Sequence, residues 1–165
     1  MRAGRAPADT MQLRLLAAGT RMPDWVAAGF EDYASRLRGE YRLTLTEIPL
    51  GDRSGGDIRR AVDTEGRKML AAADDQAHLV ALQVGGKALT TVQLATWLED
   101  RARNGDQPVF CIGGPDGLAA DIDARARLRW SLSALTLPHG LARVVVAEAL
   151  YRAVTVIKGL PYHRA

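Results

Sequence analysis

The chain has 165 residues, with 22 Lys plus Arg against 19 Asp plus Glu, a formal charge of +3, 47% hydrophobic residues and a pI near 9.3. One cysteine, Cys111, and three scattered histidines, His78, His139 and His163, show no CxxC or HExxH spacing, which argues against a disulfide framework or a bound metal. No window approaches about eighteen uninterrupted apolar residues and the start has no signal-peptide core, so a single cytoplasmic domain with no membrane partner is expected.

Residues 1–10, MRAGRAPADT, show no periodicity and read as a flexible extension, or as a mis-assigned start ahead of Met11, where regular alternation begins. Residues 11–165 read as one domain without repeats, low-complexity tracts or linkers. The apolar pattern predicts strands over 12–18, 42–48, 78–84, 108–112 and 130–134. Between and after them it predicts helices over 23–38, 57–73, 91–104, 118–127 and 141–157, the second opened by Asp57 as N-cap. Strands that alternate with helices imply right-handed crossovers, hence an α/β fold with a mostly parallel sheet and helices on both faces.

Ligands of such sheets bind at the carboxyl ends of the strands. Three segments there stand out: Gly85-Gly86-Lys87 after the third strand, Gly113-Gly114-Pro115-Asp116-Gly117 after the fourth, and Thr136-Leu137-Pro138-His139-Gly140 after the fifth. Paired glycines are ordinary turn residues, and they also let a ligand approach the main chain without a Cβ in the way. Neither glycine pair matches a dinucleotide fingerprint or a P-loop, which argues against a nicotinamide or ATP site. A Ser133–His139–Asp116 triad lacks the G-x-S-x-G elbow, and Ser131 and Ser133 read better as hydroxyls bonded to backbone. Cys111 reads as a packed, inert thiol and His78 as structural. His139, in a loop at the start of a helix, is either a backbone-bonding loop residue or a neutral imidazole able to accept a proton.

Residues 125–165 carry seven Lys and Arg against Glu148 alone, a net +6 that leaves −3 on the rest, so this quarter is where an anion is expected. Its long helix is apolar around most of its circumference from Val144 to Leu150, which suggests either core packing or a homodimer contact. Glu148 and Arg152 stand four apart in the order that favours a helix-surface pair, although Arg152 could instead face an anion. Tyr162, His163 and Arg164 put an aromatic ring, a titratable ring and a guanidinium at the chain end, a set suited to stacking on a base and contacting phosphate; a frayed tail is the alternative.

Taken together, Met22-Pro23-Asp24-Trp25, Glu65-Gly66, Gly85-Gly86-Lys87, the run Ile112 to Leu118 (IGGPDGL), the run Trp130 to His139 (WSLSALTLPH), Arg143, the run Glu148 to Ala153 (EALYRA) and Tyr162-His163-Arg164 resemble the bacterial ribosomal RNA large subunit methyltransferase H family, over residues 11–165. The resemblance implies a SPOUT-class α/β domain with a C-terminal trefoil knot, acting as a homodimer. It implies S-adenosyl-L-methionine as cofactor, no metal, and methylation of N3 of a pseudouridine in 23S rRNA within the assembled 70S ribosome. By that resemblance the cofactor positions are Leu82, Gly114, Leu132, Ser133, Ala134, Leu135, Thr136 and Leu137. The catalytic candidates are His139 or His163 as general base, Tyr162 to orient the target base, and Arg152 and Arg164 to hold phosphate or polarise a carbonyl. A SPOUT methyltransferase acting on another RNA such as tRNA, and a non-catalytic RNA-binding homodimer, are the alternatives. Gly140 after Pro-His and Lys158-Gly159-Leu160 before the tail depart from the family pattern.

Overall fold

Five strands and five α-helices alternate along the chain in the computed structural model, which describes residues 10–164, with side chains as far as Tyr162. The strands are β1 (Met11–Ala18), β2 (Tyr41–Ile48), β3 (His78–Ala88), β4 (Pro108–Ile112) and β5 (Leu128–Ser131). The helices are α1 (Asp24–Ala34), α2 (Ile58–Ala73), α3 (Thr91–Arg103), α4 (Ala120–Arg125) and α5 (His139–Lys158), and a 3₁₀ turn follows over Pro161–Arg164. The strands form one sheet in the order β2-β1-β4-β3-β5, and every pairing of neighbours is parallel.

The central strands are near-continuous apolar runs because the sheet is covered on both faces, and alternate side chains divide between two cores. Leu13, Leu15 and Ala17 of β1 join Val80, Phe110 and Ile112 beneath α1, α3 and α5, where Phe30, Leu98, Val146 and Leu150 complete the layer. Leu16 and Ala18 point the other way with Leu79, Val109 and Cys111, onto Met69 of α2 and Ile122 of α4. Burial of Cys111 pushes its thiol up to about 12, which leaves it an unreactive core group.

Local chemistry sets the helix starts. The Asp57 side chain accepts from the Arg60 N–H at 3.0 Å, and Thr90 and Gln93 form a reciprocal capping box at the head of α3. Gly159 ends α5 in the left-handed conformation at φ 69°.

Several boundaries differ from the sequence expectation: α1 ends at Ala34 rather than 38, α4 spans Ala120–Arg125 rather than 118–127, and three others bear on the strand ends. β5 ends at Ser131 rather than 134, because the Ser131 hydroxyl donates to the Ser133 carbonyl at 3.0 Å and the Ser133 hydroxyl accepts from the Leu135 N–H at 2.9 Å. These side-chain bonds compete with the ladder and turn the chain out of the sheet. β3 runs on to Ala88 through an irregularity in which Leu82 and Lys87 both pair with Trp130; the chain loops out between them, and a Cβ on Gly86 would come 2.7 Å from the Arg129 backbone. α5 begins at His139, two residues early, directly after Pro138, whose fixed φ suits a helix entry.

Candidate active site

A cavity of about 670 Å³ lies at the carboxyl ends of β3, β4 and β5, within the size range of small-molecule sites. Leu82, Gln83 and Val84 at the loop-out of β3 form one wall, and Ile112 with the Gly113–Leu118 turn forms another. The segment that leaves β5 crosses the cavity as a strap and contributes Leu132, Ser133, Leu135, Thr136 and Leu137, while Trp130, His139 and Ala142 close the interior side. Seven of the eight expected cofactor positions therefore line one space. The eighth, Ala134, is exposed and does not line it.

The walls are mostly apolar, and His139 is the one titratable side chain among the described residues that line them. It opens α5 beside the end of β1, with its Nε2 3.9 Å from where a Cβ on Gly19 would stand. That strand end is fixed by Arg143, one turn further along α5. The Arg143 guanidinium, 1% exposed, donates to the Glu47 carboxylate at 2.7 Å and to the Gly19 carbonyl at 2.8 Å. Gln83 is held from outside the cavity. Its amide donates to Asp123 at 2.6 Å, and Arg129 donates to the same carboxylate oxygen at 2.7 Å, bonds that hold the Asp123 carboxyl below the usual range. A single polar residue inside the apolar run HLVALQV was the sequence signal for Gln83, and its partner forty residues on was not visible there.

The other described catalytic candidates lie elsewhere. Glu148 accepts from Arg152 Nε at 2.8 Å and from the Tyr162 hydroxyl at 3.2 Å, and the Arg152 guanidinium sits 4.9 Å from the Tyr162 ring centroid. Tyr162 packs edge-on against Tyr151 at 4.7 Å between centroids. Burial, with the nearby Glu148 carboxylate, pushes the Tyr162 phenol up to about 12, so it is a proton donor at neutral pH and not a base. Arg152 stands thirteen residues beyond His139 on one helix, which separates this cluster from the cavity by about 20 Å along the axis. The side chains of His163 and Arg164 lie outside the described residues.

These contacts bear on several of the sequence readings. Ser133 and Asp116 cannot complete a triad with His139, because Ser133 is engaged with backbone and Asp116 is bound to Arg53 at 2.8 Å. The basic quarter is also less available to an anion than its net charge implies: Arg143 is buried on Glu47, Arg129 is paired with Asp123 and Arg152 with Glu148, while Arg125 and Arg127 remain exposed. His78 is buried at the opposite end of the sheet, edge-on to Trp97 at 5.7 Å, and burial together with Arg101 lowers its pKa. No group of three or more potential metal ligands occurs among the described residues.

The strand-end loops enclose one mostly apolar cavity at the carboxyl edge of a parallel sheet, and the comparisons with known proteins give the class. Residues 11–163 match the family model described as predicted SPOUT methyltransferase. The chain is 53% identical over 156 residues to the ribosomal RNA large subunit methyltransferase H of Alkalilimnicola ehrlichii, covering 94% of this chain and 100% of that protein. It is 50% identical to the protein of the same name from Pseudomonas fluorescens and 46% to that from Chromohalobacter salexigens, each covering 93% of this chain and 100% of the relative. A crystal structure of a putative methylase family protein from Neisseria gonorrhoeae shares the fold, with a TM-score of 0.56 at 14% identity over 91% of this chain and 86% of that one. The chain belongs to the SPOUT methyltransferases, and within them to the ribosomal RNA large subunit methyltransferase H family.

Proposed function

We propose that this protein methylates N3 of a pseudouridine in 23S rRNA of the assembled ribosome, in the cytoplasm, with S-adenosyl-L-methionine as methyl donor. The observation that carries this reading is the cavity itself, in which seven of the eight cofactor positions of the family meet around His139. The residues fit the cofactor. Leu82, Leu132 and Leu137 offer apolar surface for an adenine, and Gly113-Gly114 line the cavity with main chain, a Cβ on Gly114 facing Leu50 behind the turn and away from the cavity. When bound there, S-adenosylmethionine supplies a methyl group on a positively charged sulfur.

The protein's own part is positioning and proton transfer. The pseudouridine imide carries a proton on N3 between two carbonyls, and that proton must leave for the nitrogen lone pair to act as nucleophile. His139 at the cavity wall, or His163 of the tail, takes it. Tyr162, whose single O–H is given to Glu148, stacks on or orients the target base with its ring, and Arg152 and Arg164 hold phosphate or polarise a carbonyl. Arg152 and Tyr162 sit about 20 Å from the cavity of their own chain, so a second copy brings its tail to this cavity, and the working unit is a homodimer. On one side of α5, Leu141, Val144, Val145, Glu148, Ala149 and Arg152 stay partly exposed at helical spacing, so that side has surface left for such a contact. Among the described residues no helix is long and apolar enough to cross a membrane.

The test is transfer of label from methyl-labelled S-adenosylmethionine to assembled ribosomes that lack the modification, with and without the pseudouridine. Label at N3 of the pseudouridine and none on unmodified uridine is the expected result. Label on tRNA instead, or no binding of S-adenosylmethionine, would replace it with methylation of another RNA or with a non-catalytic RNA-binding dimer.

A further inference from the structure

Glu65 on α2 does not line the cavity, yet it lies behind the segment that forms its β4 side. Glu65 is 2% exposed. Its Oε1 accepts from Arg53 Nη1 at 2.7 Å and from the Gly51 N–H at 3.2 Å. The same guanidinium donates through Nε to the Asp116 carboxylate at 2.8 Å and through Nη1 to the Gly51 carbonyl at 3.1 Å. Arg53 therefore joins a buried carboxylate on α2 to the carboxylate of the Gly113–Gly117 turn. The turn also rests directly on the same support, since a Cβ on Gly114 would come 2.9 Å from Leu50 Cδ2 and 3.9 Å from Glu65 Oε2. Inside the turn, the Gly117 N–H donates to the Gly114 carbonyl at 3.1 Å, and Gly117 has φ +81°.

We infer that Arg53 is a positioning residue for the cofactor cavity: by bridging Glu65 and Asp116 it fixes the glycine turn from behind, and so sets affinity for S-adenosylmethionine without touching it. This rests on the reading of the cavity as the cofactor site. Three glycines in five residues give the turn many backbone states in the absence of a tether. A ligand held by main-chain groups of that turn binds only the fraction of molecules in the competent state, so its apparent dissociation constant rises as that fraction falls. The bridge needs arginine, because a planar fork reaches two carboxylates from different edges and an ammonium on a lysine stem is a point charge. Asp116 does not line the cavity, so its removal acts on the ligand only through the turn.

The experiment is calorimetric titration of the full chain with S-adenosylmethionine, for wild type, D116A, D116E, R53K and the double variant R53K/D116A. D116A leaves Arg53 on Glu65, and its melting temperature reports whether the fold is kept. The expected result is affinity weakened about tenfold by D116A and by R53K, the scale of one charge-assisted hydrogen bond, and no further loss in the double variant. D116E restores affinity to within about twofold, and the single-turnover methylation rate at saturating cofactor stays at the wild-type value in all of them. Wild-type binding with D116A unchanged, an additive double variant, or no rescue by D116E overturns the inference alone. Failure of wild type to bind S-adenosylmethionine overturns the cofactor reading and the inference with it.

Discussion

Gly66→Ala sets helix propensity directly against packing. In an exposed helix interior, alanine in place of glycine stabilises by about 0.8–1 kcal/mol. At Gly66 the added methyl overlaps the Ala119 methyl, with Ile122 Cγ1 at 3.9 Å beyond it. Ala119 is 4% exposed and Ile122 fully buried, so neither can swing into solvent, and α2 must part from the Ala119–Ile122 segment. Forcing a methyl into a packed site costs about 1–3 kcal/mol, which outweighs the propensity gain. The expected net loss is about 1 kcal/mol, or a fall in melting temperature of about 2–4 °C for a domain of this size. Gly29→Ala is the matched control. There the new methyl meets only the γ carbons of Val144 at 3.2 Å, on a half-buried side chain that can shift, so propensity and crowding offset to within about 0.5 kcal/mol. Thermal unfolding followed by circular dichroism measures both. If Gly66→Ala melts at or above wild type, the close seat of α2 on the start of α4 is not a constraint and the argument fails.

Asp57→Ala removes the acceptor for the Arg60 N–H and should cost about 1 kcal/mol in urea unfolding, with an unchanged slope. His78→Phe tests a buried neutral imidazole: the fold lowers its pKa, so stability is full above the unfolded value near 6.5 and is lost as pH falls below it, because the unfolded chain takes the proton first. Wild type should therefore lose stability on acidification from pH 6.5 by up to about 1.4 kcal/mol per unit more than His78→Phe; parallel curves would show that His78 titrates alike in both states. An equal mixture of His139→Ala and Arg152→Ala dimers, re-equilibrated, should recover about a quarter of wild-type methylation, since half the dimers would hold one intact site of two. Activity equal to the sum of the separate variants would place the tail and cavity of one site on one chain.

The elements were legible where burial alone decides them. β4 falls at 108–112 as expected because each of its five side chains is buried, which leaves an uninterrupted apolar run between polar turns. The apolar pattern of WSLSAL sets β5 two residues late, because only the hydroxyl bonds of Ser131 and Ser133 divert that run out of the sheet. The residues of the cavity could be named before their geometry because they follow strands of a parallel sheet and carry family motifs. The contacts that hold them could not, since they join distant positions: Arg143 to Glu47 across 96 residues, Arg53 to Asp116 across 63. The positive charge of the last quarter overstates its hold on an anion partly because Arg143 and Arg129 pair with Glu47 and Asp123, which lie outside that quarter, while the local Arg152–Glu148 pair was legible from its spacing. Net charge sums over sequence, and three of those arginines find carboxylates in space.

The division of the catalytic candidates between two ends of α5 follows from what each end requires. At its start the helix must sit where the strands end, and His139 there gains a wall of the cavity from β3, β4 and the strap. Toward its end the helix carries Arg152, whose guanidinium sits 4.9 Å from the Tyr162 ring centroid, and neither residue lines the cavity. Glu148 holds Arg152 and Tyr162 together on the half-buried side of α5, with Tyr151 packed against Tyr162. A rigid helix of twenty residues cannot bring these ends to each other within one chain, which is the reason a second copy is proposed to complete the site and the reason the mixed-dimer assay is the test that decides it.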